Sequence, residues 1–569
     1  MKISQFIFSL TALLVAQFVR RAKAGSSGNR VSSPVVRVNN GSVYGRYNKE
    51  WDQEFFLGIP YAQAPIGDLR FRPPQYIDRK LGSIIAREYG PHCYGVGPDQ
   101  LGYQQSEDCL TINIIRPAGI RMRDKLPVAV WIHGGGFYQG GAGDIRYNLT
   151  WMVHQSVKMD KHIIGVSMNY RLAGWGFLAS REVAGTHNLN NGLKDQRLAL
   201  HWIKENIGAF GGDPHKVTIF GESAGGAAVG FQTIAFNGRD DGLFRGAIMQ
   251  SGGSVQYQSS QYATDFQTSY DTVSQAVGCI DKAESLQCLR GIPASVLNAT
   301  FTATLFNPVI DGAFVPGFGS EALKYGRYVK VPTIAGTTSD EGCSFGQISA
   351  NSDTDIANWL ATTTSFRTSS IQKILRLYDG ISIPPEGNFT NYPDDGTKYG
   401  ILIYGKLFHK AAAIIGDWLF IAGRRYITKT LAAHSVPVWS YRFRARPNGS
   451  QTWYRAAHFA EVAFVFNNVE GLGYNSSYDH GNPMGGEHAI DYRKLGDFMS
   501  RSWVAFVHSL DPRVGAKPNE IKWNPYRDGN GKSQIVFDID ADGGIFMETD
   551  DYREEEIGFM NSYILQATR

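Results

Sequence analysis

Past its first 24 residues this chain of 569 residues has no apolar run long enough to cross a bilayer, which takes about 20 residues as a helix. An integral membrane anchor is therefore not expected, and the closing residues SYILQATR carry no anchor or retention signal. No proline- or serine-rich linker, charge block, repeat or low-complexity tract interrupts the sequence, so one large domain is expected over 25–569. Charge of one sign is lacking as well. The formal net charge is +4, but Lys2, Arg20, Arg21 and Lys23 supply all of it, and the neutral remainder offers no basic surface to a nucleic acid. Cysteine is scarce, with 5 in all.

What is present begins with MKISQFIFSLTALLVAQFVRRAKA. A lysine at position 2, an interrupted apolar run and the small-residue site Ala22-Lys23-Ala24 predict a secretory signal peptide over 1–24, with cleavage near Ala16 as an alternative. A secreted, extracellular chain allows bridges. Cys93 with Cys109 and Cys279 with Cys288 would close loops of fifteen and eight residues, each staple worth about 3 kcal/mol or less. Cys343 is left over. Six N-x-S/T sequons, at Asn40, Asn148, Asn298, Asn388, Asn448 and Asn475, are glycosylation candidates in such a chain. Hydrophobic residues at 43% suffice for a core, and 64 glycines suit a loop-rich α/β protein.

The chain is organised around Val217–Gly226, VTIFGESAGG. Apolar and β-prone residues run into Gly221-Glu222-Ser223-Ala224-Gly225, and small helix-compatible residues follow, which predicts strand, sharp turn and helix. That context presents Ser223 as a nucleophile on a strained turn, with flanking glycines because a Cβ there would collide with a neighbouring strand or helix. Leu126–Ile132 reads as a fully buried strand of a parallel sheet, with helices at Gly192–Asn206, Ala224–Ala235 and Leu407–Lys429 to cover it. Three proline-containing turns between Phe56 and Pro74 argue against a central strand there and predict an ordered surface path. Directly after Ile132 comes His133-Gly134-Gly135-Gly136-Phe137, with no Gly-Lys-Ser/Thr and no dinucleotide spacing. The N–H groups of Gly135, Gly136 and Ala224 suit an oxyanion hole. An acid just past the strand Val331–Gly336, Asp340 or Glu341, would sit on the same rim as Ser223. His434, His458, His480 and His488 all follow it in the order serine, acid, histidine.

Taken together, these residues resemble the type-B carboxylesterase/lipase family, which also holds cholinesterases, secreted fungal lipases and the non-catalytic neuroligins. The resemblance runs from Val35 to the C-terminus through GIPYAQAP, LRFRPP, SEDCLTINI, HGGGF, NYRL, GLKDQRLAL, FGGDP, VTIFGESAGG, GAIMQSG and Lys522-Trp523-Asn524-Pro525-Tyr526. It implies an α/β-hydrolase fold, a mostly parallel sheet flanked by helices. It further implies Ser223 as nucleophile, Glu341 of the DEG motif as acid and His458 as base, the last opening an H-x-x-E-x-x-F-V-F pattern with Glu461 and Phe464-Val465-Phe466. Ser251 and Glu461 match a pair behind the triad, and Cys93–Cys109 the family's first loop disulfide. Phe459 departs from the family's usual glycine, which predicts a local loop change without loss of the base.

The implied reaction is hydrolysis of a small-molecule or lipid ester through an acyl-enzyme, with no metal or organic cofactor. The Cys93–Cys109 loop lacks the tryptophan with which cholinesterases stack on choline. It also holds Gly95, Gly97, Pro98 and Gly102, too many breakers for a stable amphipathic lid helix. A reduced lid predicts weak interfacial activation and favours a carboxylesterase over a triacylglycerol lipase. A neuroligin-like binding protein is the remote alternative, since such proteins lose the nucleophile that is present here.

Overall fold

The strand Leu126–Ile132 is apolar throughout because both of its faces are covered. Val128, Val130 and Ile132 pack into one hydrophobic cluster, and Ala129 and Trp131 into another on the opposite side. The helices Asn191–Asn206 and Ala224–Gly238 bring Leu193, Leu198, Val229 and Ile234 to the first cluster. Ala489–Ser509 brings Trp503 and Phe506 to the second. A sheet is thus sandwiched between helical layers, as expected of an α/β protein. The computed structural model describes residues 33–255, 262–380, 405–450, 453–474, 481–527, 531–539 and 544–566. The predicted signal segment 1–24, the sequons at Asn388 and Asn475, and His480 lie outside the described residues.

Among the described residues the main sheet has 11 strands. In chain order they are β1 (Arg46–Asn48), β2 (Gln53–Pro60), β3 (Thr111–Pro117), β4 (Leu126–Ile132), β5 (Ile164–Met168) and β6 (Gly212–Glu222), followed by β7 (Gly246–Gln250), β8 (Thr333–Thr338), β9 (Val438–Phe443), β10 (Ser533–Phe537) and β11 (Ile545–Thr549). Across the sheet they lie in the order β11-β10-β9-β8-β7-β6-β4-β5-β3-β2-β1. From β5 through β4 and β6 to β10 every pairing is parallel. The β1–β2, β2–β3, β3–β5 and β10–β11 pairings at the two sides are antiparallel. Parallel strands deliver their carboxyl ends to one rim, so the residues after β4, β6 and β8 meet there.

Two expectations need correction. Phe56–Pro60 is part of β2 and pairs with β3, with Phe56 and Ile59 fully buried, and Tyr61, Ala62, Arg70 and Phe71 are buried too, so the stretch first reaches the surface around 66–68. Pro60 is the last residue of the strand, where a missing N–H is tolerated, and it does not exclude the strand before it. The helix expected over Leu407–Lys429 runs from Phe408 to Ala433 but is widened to a π-helical stretch at Asp417–Ile421. Both disulfides form with the expected pairing, Cys93–Cys109 and Cys279–Cys288, and Cys343 is free and buried. Among the described residues no helix is long and apolar enough to cross a membrane.

Candidate active site

At the carboxyl end of β6 the backbone turns at Ser223 with φ 57° and ψ −125°, a conformation a side-chain-bearing residue adopts only when its surroundings impose it. The surroundings are tight. A Cβ on Gly221 would lie 2.5 Å from the Ile132 carbonyl oxygen, and one on Gly225 only 2.1 Å from the same atom. Glycine at both positions therefore lets the turn press against the end of β4. The Ser223 N–H donates to the Gln250 carbonyl at 2.9 Å, tying the turn to β7, and the Ser223 carbonyl accepts from Ala227 N–H as the helix begins.

The glycine run after β4 abuts this turn: a Cβ on Gly134 would lie 3.2 Å from Ser223 Cβ. Gly135 and Gly136 have φ of 94° and 62°, and the Gly135 carbonyl accepts from the Tyr138 and Gln139 N–H groups, which curls the loop. The ring of His133 stacks on Tyr170 at 4.4 Å, and Tyr170 Oη donates to the His133 carbonyl at 2.8 Å, which anchors the start of the run. The N–H groups of Gly135, Gly136 and Ala224 have no acceptor among the described residues. Free amides beside a serine at a helix N-terminus suit a developing negative charge.

Glu341 follows β8 and is fully buried. Its Oε1 accepts from Ser251 Oγ at 2.6 Å and Thr338 N–H at 2.8 Å, and its Oε2 lies 2.6 Å from His458 Nδ1. With both oxygens held, the carboxylate has one orientation, which fixes the imidazole and leaves the proton on Nδ1. Asp340 turns the other way. Its Oδ2 accepts from Ala456 N–H at 3.3 Å, and burial pushes its carboxyl up to about 6. The His458 ring is enclosed by Phe420 at 4.6 Å and Phe345 at 5.1 Å, with 11% of its side chain exposed. His434 instead hydrogen-bonds Tyr328, and His488 packs edge-on to Tyr492. Of the described candidates, His458 is the histidine joined to Glu341.

No hydrogen bond joins His458 Nε2 to Ser223 Oγ in this structure. Nε2 faces Glu222 Oε1 at 3.3 Å, an arrangement sequence reasoning missed. The signal was present, because Glu222 is the last residue of β6 and immediately precedes the serine. Burial would lower the His458 pKa, but Glu222 and Glu341 outweigh it and raise it to about 9. Burial pushes the Glu222 carboxyl well up, opposed by His458. Glu461 accepts from Tyr441 Oη at 3.2 Å and Gln250 Nε2 at 3.4 Å, and Trp503 Nε1 donates to Gln250 Oε1 at 3.0 Å. Of the two residues expected behind the triad, Ser251 thus touches Glu341, whereas Glu461 bonds to Tyr441 and Gln250. Phe459, next to His458, has φ 75°. That φ lies in the left-handed region that favours glycine, although a side chain is present.

The model of the carboxylesterase family matches residues 32–560 of this chain. Lipase 4 of Diutina rugosa is 36% identical over 92% of this chain and 94% of its own length. Secreted lipase 1 of Botryotinia fuckeliana is 33% identical over 84% of each. The structure superposes on that of Aspergillus niger EstA with a TM-score of 0.80 and 26% identity, covering 94% of this chain and 99% of that one.

Proposed function

This chain belongs to the carboxylesterase family, with an α/β-hydrolase fold and the activity of a carboxylic ester hydrolase, and from that premise we propose that it is a secreted serine esterase working through an acyl-enzyme on Ser223. In this reading residues 1–24 are the signal peptide and 25–569 one catalytic domain. The observation that carries it is the 2.6 Å contact of Glu341 with His458 Nδ1, on the rim that also carries Ser223 and three amides with no acceptor among the described residues. His458 Nε2 takes the Ser223 proton, Oγ attacks the ester carbonyl, and Gly135, Gly136 and Ala224 N–H bind the oxyanion. His458 then gives its proton to the leaving alcohol and activates a water that frees the acid. The Nε2 to Oγ contact must tighten when substrate binds, as such contacts commonly do.

Together with Glu341, Glu222 in its charged form raises the pH at which this base works. A histidine whose pKa is raised by a neighbouring carboxylate must lose that proton before it can accept one from serine, so activity falls as pH drops through the His458 pKa. Replacing Glu222 by Gln removes one raising charge, and the acid limb of kcat/KM is expected to move to lower pH. A limb that stays in place, measured on a soluble ester from pH 6 to pH 11, would show that Glu222 does not act on His458.

For substrate, the Cys93–Cys109 loop supports a carboxylesterase: it holds one 3-10 turn at Pro98–Gln100 and no α-helix. The names of the relatives, which are lipases, favour triacylglycerol lipase as the second reading. Rates for short- and long-acyl esters taken through each ester's solubility limit separate the two. Smooth saturation below the limit with fading activity on long chains is expected, whereas a jump as droplets form would make the protein a lipase. Secretion is supported by the name of the Botryotinia fuckeliana relative. Among the described sequons, Asn40, Asn298 and Asn448 each commit Nδ2 to a backbone carbonyl. We therefore propose Asn148 as the first site to carry sugar.

A further inference from the structure

One side chain outside the proposed reaction joins three segments that border it. Arg146 Nε bonds both Asp144 oxygens, at 3.1 and 3.0 Å, and its Nη2 meets Asp144 Oδ2 and Asp99 Oδ1 at 2.6 Å each. Its guanidinium carbon lies 5.0 Å from the centroid of the Phe459 ring. The pair is largely out of water, with 17% of the Arg146 side chain exposed, which strengthens both the ion pairs and the cation–π contact. Asp99 belongs to the Cys93–Cys109 loop, and Phe459 follows His458.

The loop is itself sewn to the residues that follow the glycine run. Val96 N–H donates to the Tyr138 carbonyl at 2.8 Å, Asp99 N–H to Gln139 Oε1 at 3.2 Å and Gln100 Nε2 to the Gly140 carbonyl at 3.2 Å. On the other side of Arg146, Phe459 has φ 75°, where a phenylalanine stays only if its ring is held. The ring also meets Tyr147, edge-on at 6.5 Å.

We propose that Arg146 is a positioning residue for His458, acting through Phe459. Its guanidinium lies over the ring while its nitrogens grip Asp99 and Asp144. The disulfide loop is then a fixed wall that locks the base and the oxyanion loop in one register, and not a lid that swings away. A lysine cannot do this, because a point charge neither stacks nor forks between two carboxylates. The inference rests on the reading of His458 as the base.

The test is a cycle of Arg146→Ala and Phe459→Gly in the full-length secreted chain, with kcat and KM read on a soluble short-acyl nitrophenyl ester. Arg146→Ala is expected to lower kcat about tenfold at nearly constant KM, the scale of a small misplacement of a reacting group. In the Phe459→Gly background the same change should cost less than about twofold, because the contact it acts through is already gone. Arg146→Lys, which keeps the charge, covers the case in which the alanine variant fails to fold, and its kcat should fall with the same dependence on Phe459. Losses that multiply across the two sites, or a change in KM alone, would overturn the proposal. An inactive parent chain would overturn the esterase reading and this one together, whereas an active parent with multiplying losses would overturn only the role of Arg146.

Discussion

Ester hydrolysis by the Ser223→Ala variant is expected to fall by about 10⁶ in kcat, the scale seen when a serine nucleophile is removed from a triad. The residue sits where nothing else can replace it. Glu222 on one side is held towards His458 Nε2 at 3.3 Å, and Ala224 on the other offers only its N–H. What survives is the catalysis supplied by the oxyanion amides and substrate binding, about 10³–10⁴ over water. The fold should be untouched, since Ser223 Oγ makes no hydrogen bond among the described residues and alanine tolerates φ 57° no worse than serine. The measurements are kcat/KM on a soluble ester, labelling by a fluorophosphonate, and the melting temperature. A variant that melts normally yet keeps more than about a hundredth of the activity would place the nucleophile elsewhere. A parent chain that neither hydrolyses esters nor takes the label would return the protein to the binding class.

Glu341→Gln is expected to cost about 10⁴ in kcat, as when the carboxylate of a triad becomes an amide. The reason lies in the three donors that converge on it: Ser251 Oγ and Thr338 N–H on one oxygen, His458 Nδ1 on the other. A glutamine has one acceptor and one donor end. If its oxygen serves Ser251 and Thr338, its NH₂ faces Nδ1 and moves the imidazole proton to Nε2, so the ring can no longer accept from serine. If it flips, the NH₂ confronts two donors and the buried site loses hydrogen bonds, each worth about 1.5–3 kcal/mol when made to a charged group. Asp340→Asn is the matched control. Its carboxyl meets Ala456 N–H and not the imidazole, so its loss should be far smaller. Comparable losses at the two positions would overturn the choice of Glu341 as the acid.

The strand–turn–helix around Ser223 and the buried strand Leu126–Ile132 were legible because their demands are local. A Cβ barred from Gly221 and Gly225, or an apolar run covered on both faces, leaves its mark in consecutive residues. Phe56–Pro60 is not legible for the converse reason: prolines close to a strand end look like prolines within one, and only pairing with β3 tells them apart. The resemblance to known esterases supplied Glu341 and His458, residues 117 apart in the chain, which no periodicity connects.

From the sequence alone came the α/β architecture, the serine at its turn, the glycine run and the two disulfide pairings, all features in which neighbours along the chain constrain one another. Only the tertiary structure decided that Asp340 points away from the imidazole, that Glu222 faces His458 Nε2, and that the disulfide loop is gripped by Arg146. Each of these depends on which side chains from distant segments are buried against one another. Burial sets both the strength of their charges and the directions left open to them, and it is a property of the packed molecule that no stretch of sequence carries.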